Sequence, residues 1–587
     1  MLGLEPLLYR LKTWFRRRDV TVWYSPAYRL PLSGVELAAG MEPRRADFVA
    51  WWLLRSGAVP SSSLRTPPRI SFSDLARVHT PEFLESLGRP ETLARIYAVD
   101  PSDVPADELL NSARLACGGT LGSARETLRT RAPALNLLGG FHHAGPASAG
   151  GFCPVNDVAA ALAALRAKGF AGTAVVLDLD AHPPDGIAAC LASDAPSWIG
   201  SLSGSDWGPL PGRVDETVLP EGAGDELYLQ RLEELLGRMP RPDLAFVLAG
   251  GDVLAGDRFG RLGLTLAGAR QRDLRVALAL EGVPSVWLPG GGYSRNAWRV
   301  FAGTGTVVAT GSLDAIPAGY DPLQARFADI SADMEQESLG ETGELSAADV
   351  EEALGLRRGR SRLLLGYYTR AGIEHALYRY GVLDHLGRLG YEQFRVRFDP
   401  GHVGDRLRLF AVSRGEAALL MEFVLERRRV AGREVLYVHW ASLRNPRARF
   451  SPQRPQLPGQ EVPGLGMARE IGELLAIMAR RLGLAGVCFR PAWYHTAFGA
   501  RHDFAFVDPA RQGRFEAMVR DLAGLPLLDS TLAVAEGRVL LDGKPYAWEA
   551  DEMAFWLEPV EKDAAALATE RERVHFDWVR PPPRGDG

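Results

Sequence analysis

Asp178, Asp180 and His182 alternate in the segment DLDAH, at the end of the β-branched run Thr173–Leu179. Side chains two residues apart in an extended strand point to the same face. An aspartate and a histidine on one face can share a small cation, and a catalytic zinc ion needs three such ligands and an open position. Asp252, in AGGDVLAGD after another apolar run, is the candidate third ligand. The alternative is that these acids only cap helix N-termini.

Two adjacent histidines form a second candidate element. His142 and His143 lie in GGFHHAG. Adjacent histidines are usually structural or simply exposed, but beside a metal site they are candidates for a general base and a general acid. Carboxylates would set their tautomer and basicity, and Asp178 and Asp185 are the plausible partners.

A tyrosine in a glycine-rich turn is the third element. Tyr293 follows three consecutive glycines at 290–292, which allow close backbone approach and unusual dihedral angles. A phenol presented into a cleft can donate a hydrogen bond to a carbonyl oxygen that becomes an oxyanion. The alternative is a tyrosine packed in its loop.

Alternating strands and helices must position these residues. The predicted strands are Thr173–Leu179, Leu244–Leu248 and Val283–Leu288, and they follow predicted helices at Val158–Lys168, Asp225–Arg238 and Ala267–Leu280. Strands separated by helices indicate an α/β fold, a parallel sheet with helices on both faces. Functional loops gather at the carboxyl ends of such strands. Each of the three strands ends in a polar or glycine-rich cluster, which are DLDAHPPDG, AGGDVLAGD and PGGGYSRN in chain order.

The second half of the chain has a different organisation. An acidic stretch before residue 357 predicts a linker with one short helix at Ala347–Leu354. Beyond it, the sequence predicts four consecutive strands, a helix and a fifth strand, which together indicate an α+β domain. The predicted strands are Gln393–Phe398, Leu407–Val412, Ala418–Leu425, Val435–Trp440 and Gly486–Arg490, and the predicted helix is Met467–Leu482. The predicted organisation is an amphipathic extension at 1–19, an α/β domain at 20–318, a linker at 319–357, an α+β domain at 358–580 and a disordered tail at 581–587.

Composition narrows the function classes. The chain has 587 residues, 46% hydrophobic and 24% charged, with a formal net charge of −5, which is typical of two globular domains and gives no strong signal for nucleic-acid binding. Four cysteines without a CxxC pair favour a reducing cytoplasm. The sequence contains no uninterrupted run of about 18 apolar residues, so no membrane span is expected. Oligomeric state is left open.

The order and wording of these motifs resemble a known family, the zinc-dependent histone deacetylase and acetylpolyamine amidohydrolase superfamily, with its arginase/deacetylase-like fold. GGFHHA, DLDAH and GGDVLAGDR are most similar to the class IV branch and its bacterial relatives. The resemblance covers roughly residues 20–310 and rests on VHTPEFLESL (78–87), GGT (118–120), GGFHHA (139–144), GGFCPVND (150–157), DLDAH (178–182), LPEGAGDELYL (219–229), AGGDVLAGDRFGRLGLT (249–265) and PGGGY (289–293).

The resemblance implies a role for each site residue. The implied zinc ligands are Asp180, His182 and Asp252. The implied catalytic groups are the general base His143, its partner His142, their carboxylates Asp178 and Asp185, and the oxyanion-stabilising Tyr293. Gly151 and Phe152 match the substrate tunnel, and Asp178, Asp180, His182, Ser201 and Leu202 match a monovalent-cation site that binds K⁺. The implied activity is zinc-dependent removal of acetyl or other acyl groups from lysine side chains in proteins or from small acylated amines.

The sequence also departs from the family pattern. Pro183 and Pro184 replace a polar residue and a glycine, which removes backbone donors beside Asp185. The segment SGSDWGPLPG around Trp207 is shortened and lacks the second aromatic of the tunnel. Tunnel width and acyl length therefore do not follow from the sequence.

The C-terminal half has a partial resemblance to a GNAT-type acyltransferase. There Gly464 and Gly466, before a predicted helix, would cradle the pyrophosphate of CoA or acetyl-CoA. Glu461 stands where a glutamine or arginine is usual, and an acid is unfavourable beside a pyrophosphate. Three hypotheses remain: a deacylase with an accessory domain, a catalytically weakened protein that binds acylated ligands, and a bifunctional deacylase and acyltransferase.

Overall fold

The structure is a computed structural model that describes residues 19–32, 35, 39–334, 339–340, 363–400, 402–451, 454–560 and 563–580. The chain divides into two compact units, Met1–Leu323 and Gln324–Gly587. This division lies within 319–357, where the sequence predicts the linker; the predicted domain bounds stay a prediction. Residues 1–18 of the extension predicted at 1–19, the helix predicted at Ala347–Leu354 and the tail predicted at 581–587 lie outside the described residues.

The N-terminal unit contains one parallel eight-stranded sheet with strand order β2-β1-β3-β8-β7-β4-β5-β6. This confirms the predicted α/β class. The strands are β1 Thr21–Trp23, β2 Leu64–Arg65, β3 Ala134–Asn136, β4 Ala174–Asp178, β5 Ser197–Ser203, β6 Val214–Val218, β7 Leu244–Leu248 and β8 Ser285–Leu288.

Helices flank this sheet. They are α1 Arg45–Arg55, α2 Phe72–Leu75, α3 Pro81–Ser86, α4 Pro90–Tyr97, α5 Ala106–Thr130, α6 Asp157–Arg166, α7 Asp185–Leu191, α8 Asp225–Arg238, α9 Leu266–Ala279 and α10 Ala297–Thr310. Short 3₁₀ helices lie at Pro26–Tyr28, Ser61–Ser63 and Pro101–Asp103. Every residue of β4 and β7 is buried, as expected for parallel strands that are covered on both faces.

The central strands bring the polar clusters together. Asp178, the last residue of β4, pairs with Leu248 of β7 on one side and with Ser201 of β5 on the other. Because the strands are parallel, the loops after β4, β7 and β8 leave the same edge of the sheet. That edge is where the sequence predicts the site.

A buried carboxylate anchors the loop before the paired histidines. Asp157, at the start of α6, accepts hydrogen bonds from the N–H groups of Gly140 (3.1 Å) and Phe141 (2.8 Å), and from the hydroxyl of Thr120 (2.6 Å). The carboxylate of Asp157 is fully buried, and burying it without these hydrogen bonds would be energetically costly. The loop that carries His142 is thereby fixed to α5 and α6.

The C-terminal unit is α+β, as predicted. Its larger sheet has the order β14-β17-β13-β12-β11-β10-β9, and its smaller sheet has the order β16-β15-β18. The strands are β9 Glu392–Pro400, β10 Asp405–Ser413, β11 Glu416–Val430, β12 Arg433–Leu443, β13 Gly486–Phe489, β14 Ala505–Phe506, β15 Val539–Leu541, β16 Lys544–Pro545, β17 Met553–Trp556 and β18 Phe576–Trp578.

The helices of this part of the chain are α11 Pro322–Asp333, α12 Arg370–Arg379, α13 Val382–Arg388, α14 Ala468–Arg481, α15 Tyr494–Ala500, α16 Pro509–Asp521, α17 Leu527–Ala535 and α18 Ala564–Arg573. β9 to β12 form an antiparallel meander, and β13 pairs parallel to β12 after α14. This mixed sheet confirms the predicted strands and helix. The GNAT-type resemblance stays a prediction. Among the described helices, none has the length and apolar character needed to cross a membrane.

Candidate active site

Three side chains from the ends of β4 and β7 form a compact cluster of metal-ligand type. Ligand atoms of Asp180, His182 and Asp252 all lie within 4.8 Å of one another. Nδ1 of His182 is 3.2 Å from Oδ1 of Asp180 and 2.9 Å from Oδ2 of Asp252. The sequence predicts these three residues as zinc ligands, and the fold brings them together.

The charge of this cluster favours a bound cation. Asp180 and Asp252 are both fully buried, and two carboxylates this close repel each other. Burial, with the nearby charge of Asp180, raises the pKa of Asp252. Two buried carboxylates and an imidazole are a donor set that zinc accepts. The residues present therefore fit a divalent metal ion.

Backbone groups orient the two carboxylates. Asp180 accepts a hydrogen bond from the N–H of Gly291 at 2.5 Å, and Asp252 accepts one from the N–H of Ala181 at 3.0 Å. A Cβ at Gly291 would lie only 2.6 Å from Asp252 and 2.9 Å from Asp180. Glycine at this position therefore lets the backbone after β8 approach both carboxylates.

The paired histidines are each held by their own carboxylate. Nδ1 of His142 lies 3.0 Å from Asp178, and Nδ1 of His143 lies 2.7 Å from Asp185. The two rings are 3.9 Å apart between centroids. These are the carboxylate partners that the sequence predicts.

The two histidines have opposite electrostatic environments. Burial alone would lower the pKa of His142, but the charges of Asp178 and Asp180 outweigh it and raise the pKa to about 9. Burial lowers the pKa of His143, and the neighbouring His142 lowers it further. The pKa values of the two adjacent imidazoles are therefore shifted in opposite directions from the usual histidine value.

Tyr293 is held by Asp257, a carboxylate that sequence reasoning missed. Asp257 accepts hydrogen bonds from the N–H groups of Tyr293 (2.7 Å), Phe259 (3.1 Å) and Gly260 (3.3 Å). Burial raises the pKa of the Tyr293 phenol well above its usual value, and Asp180 and Asp252 raise it further. The phenol therefore stays protonated as a hydrogen-bond donor.

A cavity of about 490 Å³ opens over these groups. Its walls are lined by His143, Ser148, Ala149, Gly150, Gly151, Phe152, His182, Asp185, Trp207, Phe259 and Tyr293. The predicted tunnel residues Gly151 and Phe152 are among them. The cavity has a polar end at the histidines and an aromatic wall, which suits an amide attached to an aliphatic chain.

Trp207 corrects the prediction that a second aromatic is missing. Its ring stacks on His143 with 5.2 Å between centroids, and the side chain is 52% exposed. Phe259 adds a third aromatic, 4.9 Å from the Tyr293 ring. Both aromatics lie in irregular loops, where no periodic pattern marks the direction of a side chain. The nearby polar clusters were the only available signal.

Phe152 has a left-handed backbone with φ of +63°, which is strained for a bulky residue. The preceding Gly151 has φ of +55°, and a Cβ there would lie 2.4 Å from the His143 ring. This turn therefore presents the Phe152 ring to the cavity, 5.1 Å from the Tyr293 ring.

Pro183 and Pro184 do not displace Asp185. They precede α7, and the N–H of Asp185 donates to the carbonyl of Pro183 at 3.0 Å. Prolines are tolerated where no helical hydrogen bond is required of their nitrogen. The Asp185 carboxylate still reaches His143.

A buried arginine ties the two metal-cluster strands together. Nη1 of Arg272, on α9, donates to the carbonyls of Leu179 (3.2 Å) and Gly250 (3.0 Å). Its Nε pairs with Asp273 at 2.8 Å, and its side chain is fully buried. Sequence reasoning missed Arg272 because an arginine on an amphipathic helix resembles a surface charge. A second arginine, Arg45, is close enough for its charge to interact with those of the cluster.

Ser201 lies beside the predicted monovalent-cation site. Its hydroxyl is buried and has no hydrogen-bond partner among the described residues. The other residues predicted for this site, Asp178, Asp180, His182 and Leu202, belong to or follow β4 and β5. A buried hydroxyl without a partner is unfavourable unless a water or an ion satisfies it.

Gly464 and Gly466 lie just before α14. Gly466 has φ of +70°, and the carbonyl of Gly464 accepts a hydrogen bond from Arg454 at 2.5 Å. Glu461 pairs with Arg444 at 2.9 Å. The CoA loop stays a prediction.

Residues 39–306 match the family model for the histone deacetylase domain. The chain is 30% identical to "Histone deacetylase 2" of Arabidopsis thaliana over 300 residues, which are 48% of this chain and 77% of that protein. It is 33% identical to an uncharacterised protein of Picosynechococcus sp. over 257 residues (42% and 83%), and 28% identical to "Histone deacetylase clr6" of Schizosaccharomyces pombe over 311 residues (48% and 76%). The crystal structure of an HDAC homolog from Aquifex aeolicus matches with a TM-score of 0.41 and 21% identity, covering 50% and 84%.

Proposed function

The chain belongs to the histone deacetylase family, and we propose that it is a zinc-dependent amidohydrolase that removes acyl groups from lysine side chains or similar amines. One observation carries this proposal. The His143–Asp185 pair lies in the same cavity as His182, the imidazole of the metal-ligand cluster. A base within reach of a metal site is what hydrolysis of a linear amide requires.

Asp180, His182 and Asp252 would hold the zinc ion. When bound, zinc would supply a Lewis acid that polarises the amide carbonyl and lowers the pKa of a water molecule. The buried carboxylates of Asp180 and Asp252 support this assignment, because a negative charge buried without a compensating cation is energetically costly.

His143 would take the proton from the attacking water. Its lowered pKa keeps the imidazole neutral at pH 7, and Asp185 fixes the tautomer in which Nδ1 carries a proton and Nε2 is free to accept one. His142, charged and held by Asp178, would strengthen the local positive potential. The leaving amine would receive its proton from the histidine pair.

Tyr293 would donate a hydrogen bond to the substrate oxygen as it becomes an oxyanion. Its protonated phenol supports this role, and a preorganised donor of this kind is among the larger contributions to catalysis. Asp257 would hold the backbone of the tyrosine in place.

The substrate class is an acylated amine on an aliphatic chain. Phe152, Trp207 and Phe259 supply apolar walls for such a chain, and the polar groups lie at one end. Acyl-lysine in a protein and a small acylated amine such as an acetylpolyamine both fit. Four free cysteines favour a cytoplasmic location.

We also propose a K⁺ ion bound by Ser201 with Leu202, Asp178, Asp180 and His182. The buried hydroxyl of Ser201 without a partner in the described residues supports it. Exchange of K⁺ for Na⁺ should change the hydrolysis rate of the wild type and have a smaller effect on Ser201→Ala.

The test is a turnover screen of purified zinc-loaded protein across acyl-lysine peptides and acetylpolyamines. We expect hydrolysis of at least one class, and loss of it in His143→Ala. His402→Ala, which changes an exposed histidine, is the matched control and should keep the wild-type rate. Binding of acylated amines without turnover would favour the alternative, a catalytically weakened binding protein.

A bifunctional protein would also bind CoA at Gly464 and Gly466. The Glu461–Arg444 pair reduces the charge conflict that Glu461 would otherwise create. Calorimetry with CoA and acetyl-CoA on the full chain tests this proposal. Gly466→Asp should abolish the binding, and absence of heat at millimolar ligand would exclude it.

A further inference from the structure

The C-terminal unit contains a partly open apolar cavity with a volume of about 80 Å³. Side chains of β9, β10 and β11 form one wall, and side chains of α12 and α14 form the opposite wall. At about 30 Å³ of liquid volume for each water, the volume corresponds to about three water molecules. Native interiors leave few voids of this size.

One part of the cavity is polar. Tyr368, Tyr380 and Arg481 contribute its polar side chains. Nη2 of Arg481 donates to the carbonyl of Ser331 (2.5 Å), the hydroxyl of Ser331 (3.0 Å) and the carbonyl of Met334 (3.2 Å). Tyr380 lies within hydrogen-bonding reach of Ser331 and Arg481. These contacts place the polar groups together.

Two hydrogen-bond donors of this polar part have no partner among the described residues. They are the hydroxyl of Tyr368, a residue that is only 2% exposed, and the buried Nε of Arg481. Burial raises the pKa of the Tyr368 phenol, which keeps it a donor. A buried donor without an acceptor is strongly unfavourable.

Arg481 also has no carboxylate partner in the part of the chain that the structure describes. The oxygens that accept hydrogen bonds from its Nη2 are all neutral. A guanidinium is always charged and matches a carboxylate in geometry. An anion with two oxygen acceptors would satisfy both the charge and the two free donors.

We propose that this cavity binds a monocarboxylate with a short acyl chain. The carboxylate pairs with Arg481 and Tyr368, and the chain lies among Leu407, Leu409 and Leu475. Water alone is a poor occupant because most of the wall is apolar and offers few of the two to four partners that a buried water needs. None of the residues that line it lines the amidohydrolase cavity.

Calorimetry on the whole zinc-loaded chain at pH 7.5 tests the site, with sodium butyrate as the probe and butan-1-ol as the uncharged probe. We expect butyrate to bind with a Kd below about 1 mM and butan-1-ol to bind at least about tenfold more weakly. Absence of butyrate binding at millimolar concentration would overturn the proposal. Equal affinity for the two probes would overturn it too, because the cavity would then be only an apolar void.

Variants distinguish this cavity from the catalytic one. Tyr368→Phe removes one hydroxyl from the site and should weaken butyrate binding by about tenfold. Tyr367→Phe is the matched control, since the Tyr367 ring contacts Tyr368 but does not line the cavity, and should bind as the wild type does. Unchanged affinity in Tyr368→Phe would place butyrate elsewhere and contradict the proposal.

A filling variant provides an independent check that does not depend on the polar groups. Leu409→Phe adds apolar volume inside the cavity, so it should abolish butyrate binding while the melting temperature stays the same or rises. Retained butyrate binding in a folded Leu409→Phe protein would contradict the assignment.

Discussion

The carboxylate of Asp185 lies 2.7 Å from Nδ1 of His143. The side chain of this aspartate is 44% exposed, whereas Asp178, which holds His142, is fully buried. The two histidines are therefore supported differently, His142 by a fully buried carboxylate and His143 by a carboxylate at the cavity wall.

Asp185→Asn should lower kcat by about 10²-fold or more with unchanged zinc content. An amide can donate to Nδ1 of His143 and so stabilise the tautomer in which Nε2 carries the proton and cannot act as a base. Steady-state kinetics and metal analysis measure both quantities. Asp206→Asn, which changes an exposed aspartate near the cavity, is the control. A wild-type kcat in Asp185→Asn would mean that Asp185 has no part in orienting the base.

Tyr293→Phe should keep the fold and the metal but lower kcat by on the order of 10²-fold or more, as expected for loss of an oxyanion donor. The ring remains between Phe152 and Phe259, so binding of the acyl chain should change little. Separate kcat and KM values test this. A loss confined to KM would show that the phenol contributes to binding and not to the transition state.

Arg272→Met should weaken zinc binding by about 10- to 100-fold, as is typical when support behind the ligands is lost. The arginine holds the carbonyls of Leu179 and Gly250, next to the segments that carry Asp180 and Asp252. Competition with a chelator gives the affinity, and the absorption spectrum of the Co²⁺-substituted protein reports the ligand geometry.

Arg299→Met is the matched control for this prediction. Arg299 is also buried and donates to backbone carbonyls, those of Pro317, Ala318 and Tyr320. Its loss should reduce stability without changing the Co²⁺ spectrum. If both variants lost zinc equally, the effect of Arg272 would be general destabilisation, and Arg272 would not be a positioning residue.

His79 makes stability depend on pH. Its Nδ1 donates to the carbonyl of Gly145, and its Nε2 accepts from the N–H of Asn156, both at 2.9 Å. Burial lowers the pKa of His79 to about 4. Between about pH 6.5 and pH 4 the unfolded chain therefore binds more protons than the folded one, and stability falls as the pH falls.

The contribution of His79 to the free energy of unfolding falls by about 2 kcal/mol between pH 7.5 and pH 5. Urea unfolding of the wild type and of His79→Gln at both pH values measures it. The stability advantage of the wild type should shrink by about this amount at pH 5. An advantage that is the same at both pH values would show that His79 titrates normally in the folded protein.

The metal cluster could be predicted because its signal is periodic. Asp178, Asp180 and His182 alternate at the end of a strand whose other residues are all apolar, and parallel strands bring their carboxyl ends to one edge. Asp178 and Asp185 were plausible carboxylate partners of the two histidines, and the family resemblance implied the same pair. Local pattern and sheet topology together thus determined most of the candidate site.

The remaining parts depend on tertiary contacts that the sequence does not encode locally. Trp207 stacks on His143 from an irregular loop, Asp257 reaches the backbone of Tyr293 across 36 positions, and Arg272 is buried although its helix also carries polar residues. α11 occupies Pro322–Asp333, where acidic composition favours a linker. Each of these features depends on packing partners far away in the chain.

Metal removal tests the central claim most directly. Acyl-lysine hydrolysis would be measured on the wild type before chelation, after exhaustive chelation, and after addition of one equivalent of zinc, with Asp180→Asn taken through the same steps. We predict that chelation abolishes wild-type turnover, that zinc restores it, and that Asp180→Asn stays inactive, since loss of one of three ligands leaves a weak site. Wild-type turnover that persists after complete removal of the metal would contradict the account.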